Sequence, residues 1–356
     1  MHINKVELHN FRNYENQEIK LKKNINVFYG DNAQGKTNIL EAIFLCAFGK
    51  SFRTTREKEL IKLGEENARI KVEYSKKDRD GNILICISDK KQILVNGVKI
   101  KKLSELLGKI NIVIFTPDDI NILKGTPALR RRFLDMMIGQ LRPNYVHNLN
   151  LYLKTLEQRN NYLRQIRQEG KAESLLEIWD EKLVEYGNII SNYRREFINK
   201  IIEKINIIHK KITNDNEKID IIYTSCCENK KNYMDLLTQR RKLDIIKGYT
   251  TKGIHRDDFE VYINSKELSI YGSQGQNRTA VLSLKLSELQ VIHDEIEEEP
   301  ILLLDDFMSE LDIKRRRNFL NNINNTQVII TCAEKINFIN ENVDYYLYQV
   351  KKGEII

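Results

Sequence analysis

Gly30-Asp31-Asn32-Ala33-Gln34-Gly35-Lys36-Thr37 decides how the rest of this chain is read. It matches G-x-x-x-x-G-K-[ST], a loop whose backbone N–H groups cradle phosphates. The apolar run from Ile25 to Tyr29 reads as a buried strand entering it, and Lys36 to Phe48 has the apolar spacing of a helix leaving it. Strand, glycine-bounded loop and helix is the context that makes the pattern more than a string match. The glycines let successive N–H groups point into one concave nest, and the helix N-terminus adds partial positive charge. On this reading Gly30, Asp31, Asn32, Ala33, Gln34 and Gly35 wrap a nucleotide triphosphate. Lys36 reaches its β- and γ-phosphates, and the Thr37 hydroxyl ligates Mg²⁺. A plain glycine turn before an ordinary helix would have no need of Lys36 and Thr37.

The 356 residues can hold two or three domains with a full core. No apolar run approaches the ~20 residues of a membrane span, and Met1-His2-Ile3-Asn4-Lys5 lacks the apolar segment of a secretory signal. A cytoplasmic protein is expected. The five cysteines, Cys46, Cys86, Cys226, Cys227 and Cys332, form no C-x-x-C pair, which suits reduced thiols. A net charge of +8 permits a polyanionic partner. A Lys-, Ile- and Asn-rich composition can also arise from AT-rich coding, so charge alone does not assign one.

Strands are expected at Lys5–Leu8, Glu18–Leu21, Ala68–Tyr74, Ile83–Ser88 and Gln92–Val95, the last turning at Asn96-Gly97. Ile110–Phe115 is a continuous apolar strand closed by Thr116-Pro117. Thr126-Pro127 then opens a helix to about Gln140, and a second spans about Asn144–Gln168. In the third, Leu176, Trp179, Leu183, Tyr186, Ile190, Tyr193, Phe197, Ile201, Ile205 and Ile208 recur at steps of three or four. That stripe predicts one helix of about 50 Å, packed against its predecessor as a hairpin, with its Lys and Arg residues solvated. Strand texture returns at Ile219–Tyr223. A helix follows over Tyr233–Ile246, then a strand pair turning at Asn264-Ser265, a helix near Gly275 and strands at Ile301–Leu304, Gln327–Ile330 and Tyr345–Tyr348. A further helix is expected after Leu311. The chain reads as an α/β domain made from both ends, 1–125 and 217–356, around a helical insert, 126–216.

Two later segments carry chemistry. Ile301-Leu302-Leu303-Leu304-Asp305-Asp306 is an apolar strand ending in two carboxylates. In P-loop ATPases such a strand sets its first Asp beside Mg²⁺, and the next acid polarises the attacking water. Tyr271-Gly272-Ser273-Gln274-Gly275-Gln276, opening a helix, offers a hydroxyl, a glycine amide and a helix N-terminus as a second anion site. Read alone, it is a loop with good capping chemistry before it is an anion site.

In order, these segments resemble the phosphate loop, signature and acidic strand of ABC-type ATPases, with Ser309-Glu310-Leu311-Asp312 similar to their D-loop. Phe11-Arg12-Asn13-Tyr14 is similar to the SMC/Rad50 branch. The resemblance narrows to the RecF family of bacterial recombination mediators through five segments. They are Asn10–Tyr14, the loop continuing to Asn38, and Lys124-Gly125-Thr126-Pro127 with Arg130–Asp135. His255-Arg256-Asp257-Asp258 and the run from Gly272 to Asp312 complete the set.

The resemblance implies an ABC-type head with an inserted helical domain, binding ATP and Mg²⁺, with Arg12 and Asn38 joining the nucleotide set. Lys36, Asp305 and Asp306 would be catalytic, and Thr37 and Asp305 would hold the metal. Ser273, Gly275 and Gln276 would close on the γ-phosphate of a second subunit, giving an ATP-gated homodimer. DNA is the implied partner, as single strand, duplex and gap junction, with RecR and RecO helping to load RecA in gap repair and the SOS response. Arg130, Arg131 and Arg132, and the run Lys314–Arg317, are candidate phosphate contacts. Three consecutive helical charges cannot share one face, so some of them are expected to be solvated or paired. His255 reads as part of a hydrogen-bonding turn.

The sequence departs from the pattern in places. Ile254 stands where proline is expected, and Thr331 where many ABC enzymes carry a switch histidine. No glutamine directly follows Ile110–Phe115, and Asp306 is one methylene shorter than the usual Glu. Slow, DNA-stimulated hydrolysis acting as a switch is expected. A transporter ATPase subunit is the first rival, but its signature would follow the loop much sooner. A structural SMC protein would need far longer coiled coils.

Overall fold

The computed structural model describes residues 1–214, 216–306, 319, 323, 325–335 and 344–356. The segments Ser309–Asp312 and Lys314–Arg317 lie outside them. The described chain divides into two compact units, Met1–Asp119 with Ser283–Ile356, and Ile120–Leu282.

The first unit holds two sheets. One is antiparallel, in the order β2-β1-β4-β5-β6-β7, from β1 (His2–Phe11), β2 (Tyr14–Lys20), β4 (Ala68–Ser75), β5 (Asp80–Ile87), β6 (Gln92–Val95) and β7 (Val98–Lys99). Along β1, Val6 and Leu8 are buried, while Lys5 and Glu7 form an ion ladder with Glu18, Lys71 and Glu73. Asn96 and Gly97 join β6 to β7 with φ of 50° and 80°, the doubly left-handed turn that Asn-Gly favours.

The other sheet has the order β15-β14-β3-β13-β12-β8, from β3 (Ile25–Tyr29), β8 (Ile112–Phe115), β12 (Ile301–Asp305), β13 (Val328–Cys332), β14 (Tyr345–Lys351) and β15 (Glu354–Ile355). All its pairings are parallel except β14 with β15. β8, β12 and β13 are buried at every position, as strands covered on both faces must be. Helix α1 (Lys36–Phe48) packs against β4 and β5 of one sheet and β12 and β13 of the other. It is therefore a middle layer, which explains a sequence apolar almost all round.

The second unit contains α2 (Asn121–Lys124), α3 (Pro127–Leu141), α4 (Pro143–Glu169), α5 (Leu176–Thr213), α6 (Lys230–Lys247) and α7 (Leu268–Tyr271). With them goes the sheet β11-β10-β9, from β9 (Ile219–Thr224), β10 (Asp258–Ile263) and β11 (Lys266–Glu267). α5 runs 38 residues, about 57 Å, and packs against α4. Its stripe residues Leu176, Leu183, Ile190, Phe197, Ile201 and Ile205 are buried. The unit reaches beyond 126–216 because β9 packs on α5 and buries Ile219 and Ile221 there.

Not every cation of these helices is solvated. Arg159 is fully buried between Asp180, at 2.6 Å, and Asp244, at 2.8 Å. Arg194 is held by Asp135, Asp257 and the Ile254 carbonyl. Helix α8 (Gln274–Ile296) carries the chain from this unit back into the first. No described helix is long and apolar enough to cross a membrane.

Candidate nucleotide-binding site

The loop Gly30–Gly35 joins β3 to α1 as the pattern requires. Gly30, Ala33 and Gly35 have φ of 150°, 64° and 114°, so the turn depends on left-handed backbone. Glycine is also needed for space. A Cβ on Gly30 would stand 2.3 Å from the Val350 carbonyl oxygen, and one on Gly35 2.5 Å from Asn13 Nδ2. The chain's last strands brace the loop, since Gly353 N–H donates to the Gln34 carbonyl and Lys352 N–H to Gln34 Oε1. Asn13 Nδ2 donates to the Gln34 carbonyl from the other side. Lys36 Nζ donates to the carbonyls of Gly30 and Asp31 at 2.6 and 2.7 Å, which sets the ammonium over the loop.

The acidic strand arrives beside the loop. Thr37 Oγ1 donates to Asp305 Oδ1 at 2.7 Å although the two residues are 268 apart in sequence. A hydroxyl and a carboxylate at that separation are hard oxygen donors suited to Mg²⁺, which takes few protein ligands and fills its shell with water and phosphate. Asp306 follows with φ of 50°. With Thr37 and Lys36 it lines a cavity of about 710 Å³, a volume suited to a nucleotide.

Sequence reading left five residues of this cavity unassigned: Arg53, Lys58, Glu59, Ile61 and Leu63. They lie on a loop after α1 that carries no motif. Leu63 is 98% exposed, an apolar side chain offered to whatever fills the space. Arg12 lines the cavity, but its guanidinium is engaged. Nε and Nη2 grip Glu41 at 2.9 and 2.7 Å, and Nη1 donates to the Glu59 carbonyl. Glu41 sits fully buried in α1 and also accepts from Ser51 and Arg53. Asn38 faces the same rim, donating to Asn13 and accepting from Arg53.

Ser273 is exposed at the start of α8, in the second unit. Its Oγ accepts the Gln276 N–H at 3.2 Å, and Gln276 Oε1 accepts the Ser273 N–H at 3.0 Å. This reciprocal pair is a capping box, and it fixes the first turn of α8, which carries Gly275. Gln276 Nε2 is meanwhile held by Glu217.

Comparison with known proteins follows the same lines. A family model described as "RecF/RecN/SMC N terminal domain" matches residues 2–355. A "DNA replication and repair protein RecF" of Clostridium perfringens is 44% identical, with 100% of this chain and 99% of that protein covered. Another of the same description from Acetivibrio thermocellus is 41% identical over 98% of this chain and 97% of its own length. This chain belongs to the RecF family. A solved structure of the recombination mediator protein RecF with ATP in the RecFOR pathway superposes with a TM-score of 0.93 at 38% identity, covering 99% of this chain and 96% of that one. An SMC head bound to the winged-helix domain of ScpA gives 0.60 at 17% identity and shares the fold.

In this RecF-family chain the three candidate DNA arginines part ways. Arg130 is buried, with Nε and Nη2 on Asp258 at 2.5 and 2.8 Å and Nη1 on the Gly125 carbonyl at 2.9 Å. It is thereby removed from the candidate phosphate contacts, because reaching a phosphate would strand Asp258. Arg131 is half-buried and donates to the Asp257 carbonyl. Arg132 is exposed.

His255 belongs to a buried network. Its Nε2 bonds the Thr250 carbonyl at 3.1 Å, so that nitrogen carries the hydrogen, and Nδ1 is left to accept from the Tyr152 hydroxyl at 2.8 Å. Burial lowers its pKa to about 4, which keeps the ring neutral.

Proposed function

We propose that this RecF-family protein is an ATP-gated dimer whose nucleotide state controls its grip on DNA in recombinational gap repair. The observation that carries the reading is the junction of Lys36, Thr37 and Asp305 around one braced loop, with Thr37 and Asp305 2.7 Å apart. Bound ATP with Mg²⁺ would supply a bridging γ-phosphate and a hydrolysable bond. The loop amides and Lys36 bind and orient the phosphates, Thr37 and Asp305 hold the cation, and Asp306 accepts a proton from the attacking water. Asp306 is short for that task, so hydrolysis is slow and serves as a release step.

Ser273, Gly275 and Gln276 complete the site of a second copy. Their support is an exposed, rigidly capped helix start in a unit that lacks the phosphate loop. A ligand bridging two chains favours the associated state by mass action. The RecFOR context of the solved relatives supports RecR and RecO as partners, with RecA loading as the outcome.

Sedimentation with and without a non-hydrolysable ATP analogue, then with gapped DNA at several salt concentrations, tests the reading. Dimerisation on nucleotide, loss of binding in Lys36→Ala, and a Ser273→Arg variant that binds but stays monomeric are expected. A Ser273→Arg protein that dimerises normally would remove the cross-subunit assignment.

A further inference from the structure

We propose that Thr331 is a positioning residue of the nucleotide site, fixing the Asp305 carboxylate at the end of β12 and the backbone of Asp306 after it. The proposal rests on the nucleotide reading above and assigns it a residue where ABC-type relatives were expected to carry histidine. β12 and β13 run parallel with Asp305 opposite Thr331, so the two residues meet where both strands end. Thr331 Oγ1 donates to Asp305 Oδ1 at 2.8 Å and accepts the Asp306 N–H at 3.1 Å. The Thr331 carbonyl shares that N–H at the same distance.

The geometry gives this hydroxyl two tasks. Asp305 Oδ1 accepts from Thr37 on the loop side and from Thr331 on the sheet side, which fixes the carboxylate's rotation. When the Thr37 oxygen turns to a cation, the Thr331 bond persists and keeps the carboxylate aimed. A hydroxyl has one hydrogen, and the Leu304 carbonyl at 3.4 Å is the poorer acceptor. The second task concerns Asp306, whose φ of 50° is unfavourable for a residue with a Cβ. Its N–H bonds to Thr331 hold it in that setting at the cavity wall, which both residues line. A neutral hydroxyl does this without titrating.

Outer partners of metal-binding carboxylates are worth about 10–100-fold in metal affinity or activity. The test titrates Mg²⁺ into the full chain with a fluorescent ATP analogue, beside the affinity of that analogue in EDTA. Thr331→Val keeps the branched shape and loses the hydroxyl; it should weaken apparent Mg²⁺ affinity by about tenfold or more. Its affinity in EDTA should not change, and Thr331→Ser should restore the Mg²⁺ response. Should the valine variant fail to fold, Thr331→Ala drops the same hydroxyl and carries the comparison. A wild-type Mg²⁺ response in the variant lacking the hydroxyl overturns the proposal. So does an equal loss with and without metal, which would mark a merely structural strand end. If the wild-type chain bound no nucleotide, the underlying reading would fail first, and that result is distinct from either of these.

Discussion

Replacing Arg12 by alanine removes two hydrogen bonds from a carboxylate that has no access to water. Glu41 keeps Ser51 and Arg53, but Arg53 lies at 3.3 Å and is itself 43% exposed. Breaking a buried pair costs roughly 3–5 kcal/mol because one charge is stranded, and the remaining arginine puts this case near about 3 kcal/mol. The loss should concentrate on α1, the helix that holds Glu41, Lys36 and Thr37. At about 1.4 kcal/mol per tenfold, its amides should exchange with deuterium about 100-fold faster, read by mass spectrometry of peptides from that helix. Adding Glu41→Gln to the variant should recover much of the protection, since the stranded charge is gone. Unchanged α1 exchange in Arg12→Ala, with nucleotide affinity lost, would refute the argument and make Arg12 a ligand contact.

Arg130→Ala should destabilise the second unit by about 3 kcal/mol, as expected for a stranded Asp258, and leave the salt slope of DNA binding unchanged. If Arg132 meets a phosphate, Arg132→Ala should reduce that slope by about one, leaving stability intact; filter binding across salt concentrations separates the two. His255 is neutral when folded, with a pKa of about 4 against the ordinary 6.5, so protons bind the unfolded chain first. Its contribution is present above about pH 6.5 and is lost as pH falls towards 4, by up to about 3 kcal/mol. Trp179 fluorescence during urea unfolding should show this acid sensitivity in the wild type and less of it in His255→Asn; equal pH profiles would contradict the assignment. Gly30→Ala must hold a side chain at φ of 150° and displace the Val350 carbonyl, so it should lose about 1–3 kcal/mol in thermal melts together with nucleotide affinity. A variant as stable as the parent would show that the C-terminal strands do not brace the loop.

The phosphate loop and the strand ending in Asp305 were readable because each needs a local pattern that few other roles impose. The long helix was readable from its stripe, and the Asn96-Gly97 turn from the backbone its residues favour. The pairing of β14 with β3 was not, because parallel neighbours distant in sequence leave no local trace. Arg130 and Arg194 look like surface charge in sequence; their burial follows from Asp258, Asp135 and Asp257, which only the fold brings near. Arg53, Lys58, Glu59, Ile61 and Leu63 escaped notice for a related reason, since a segment without a motif places them. Ser273 and Gln276 could be read two ways, as helix cap and as anion site. The capping box shows that the first is satisfied without excluding the second.

The sheet order around β3 has a consequence for how the protein is made. Both neighbours of that strand come from the far end of the chain; Asn26 Nδ2 donates to the Val328 carbonyl across 302 residues of sequence. At about 5–20 residues per second, a ribosome leaves β3 without either flank for some tens of seconds. Throughout that interval the glycine loop lacks its C-terminal brace, and the apolar middle helix lacks half its cover. Nascent chains should therefore need shielding until translation is nearly complete, and nucleotide should be unable to rescue a stalled one.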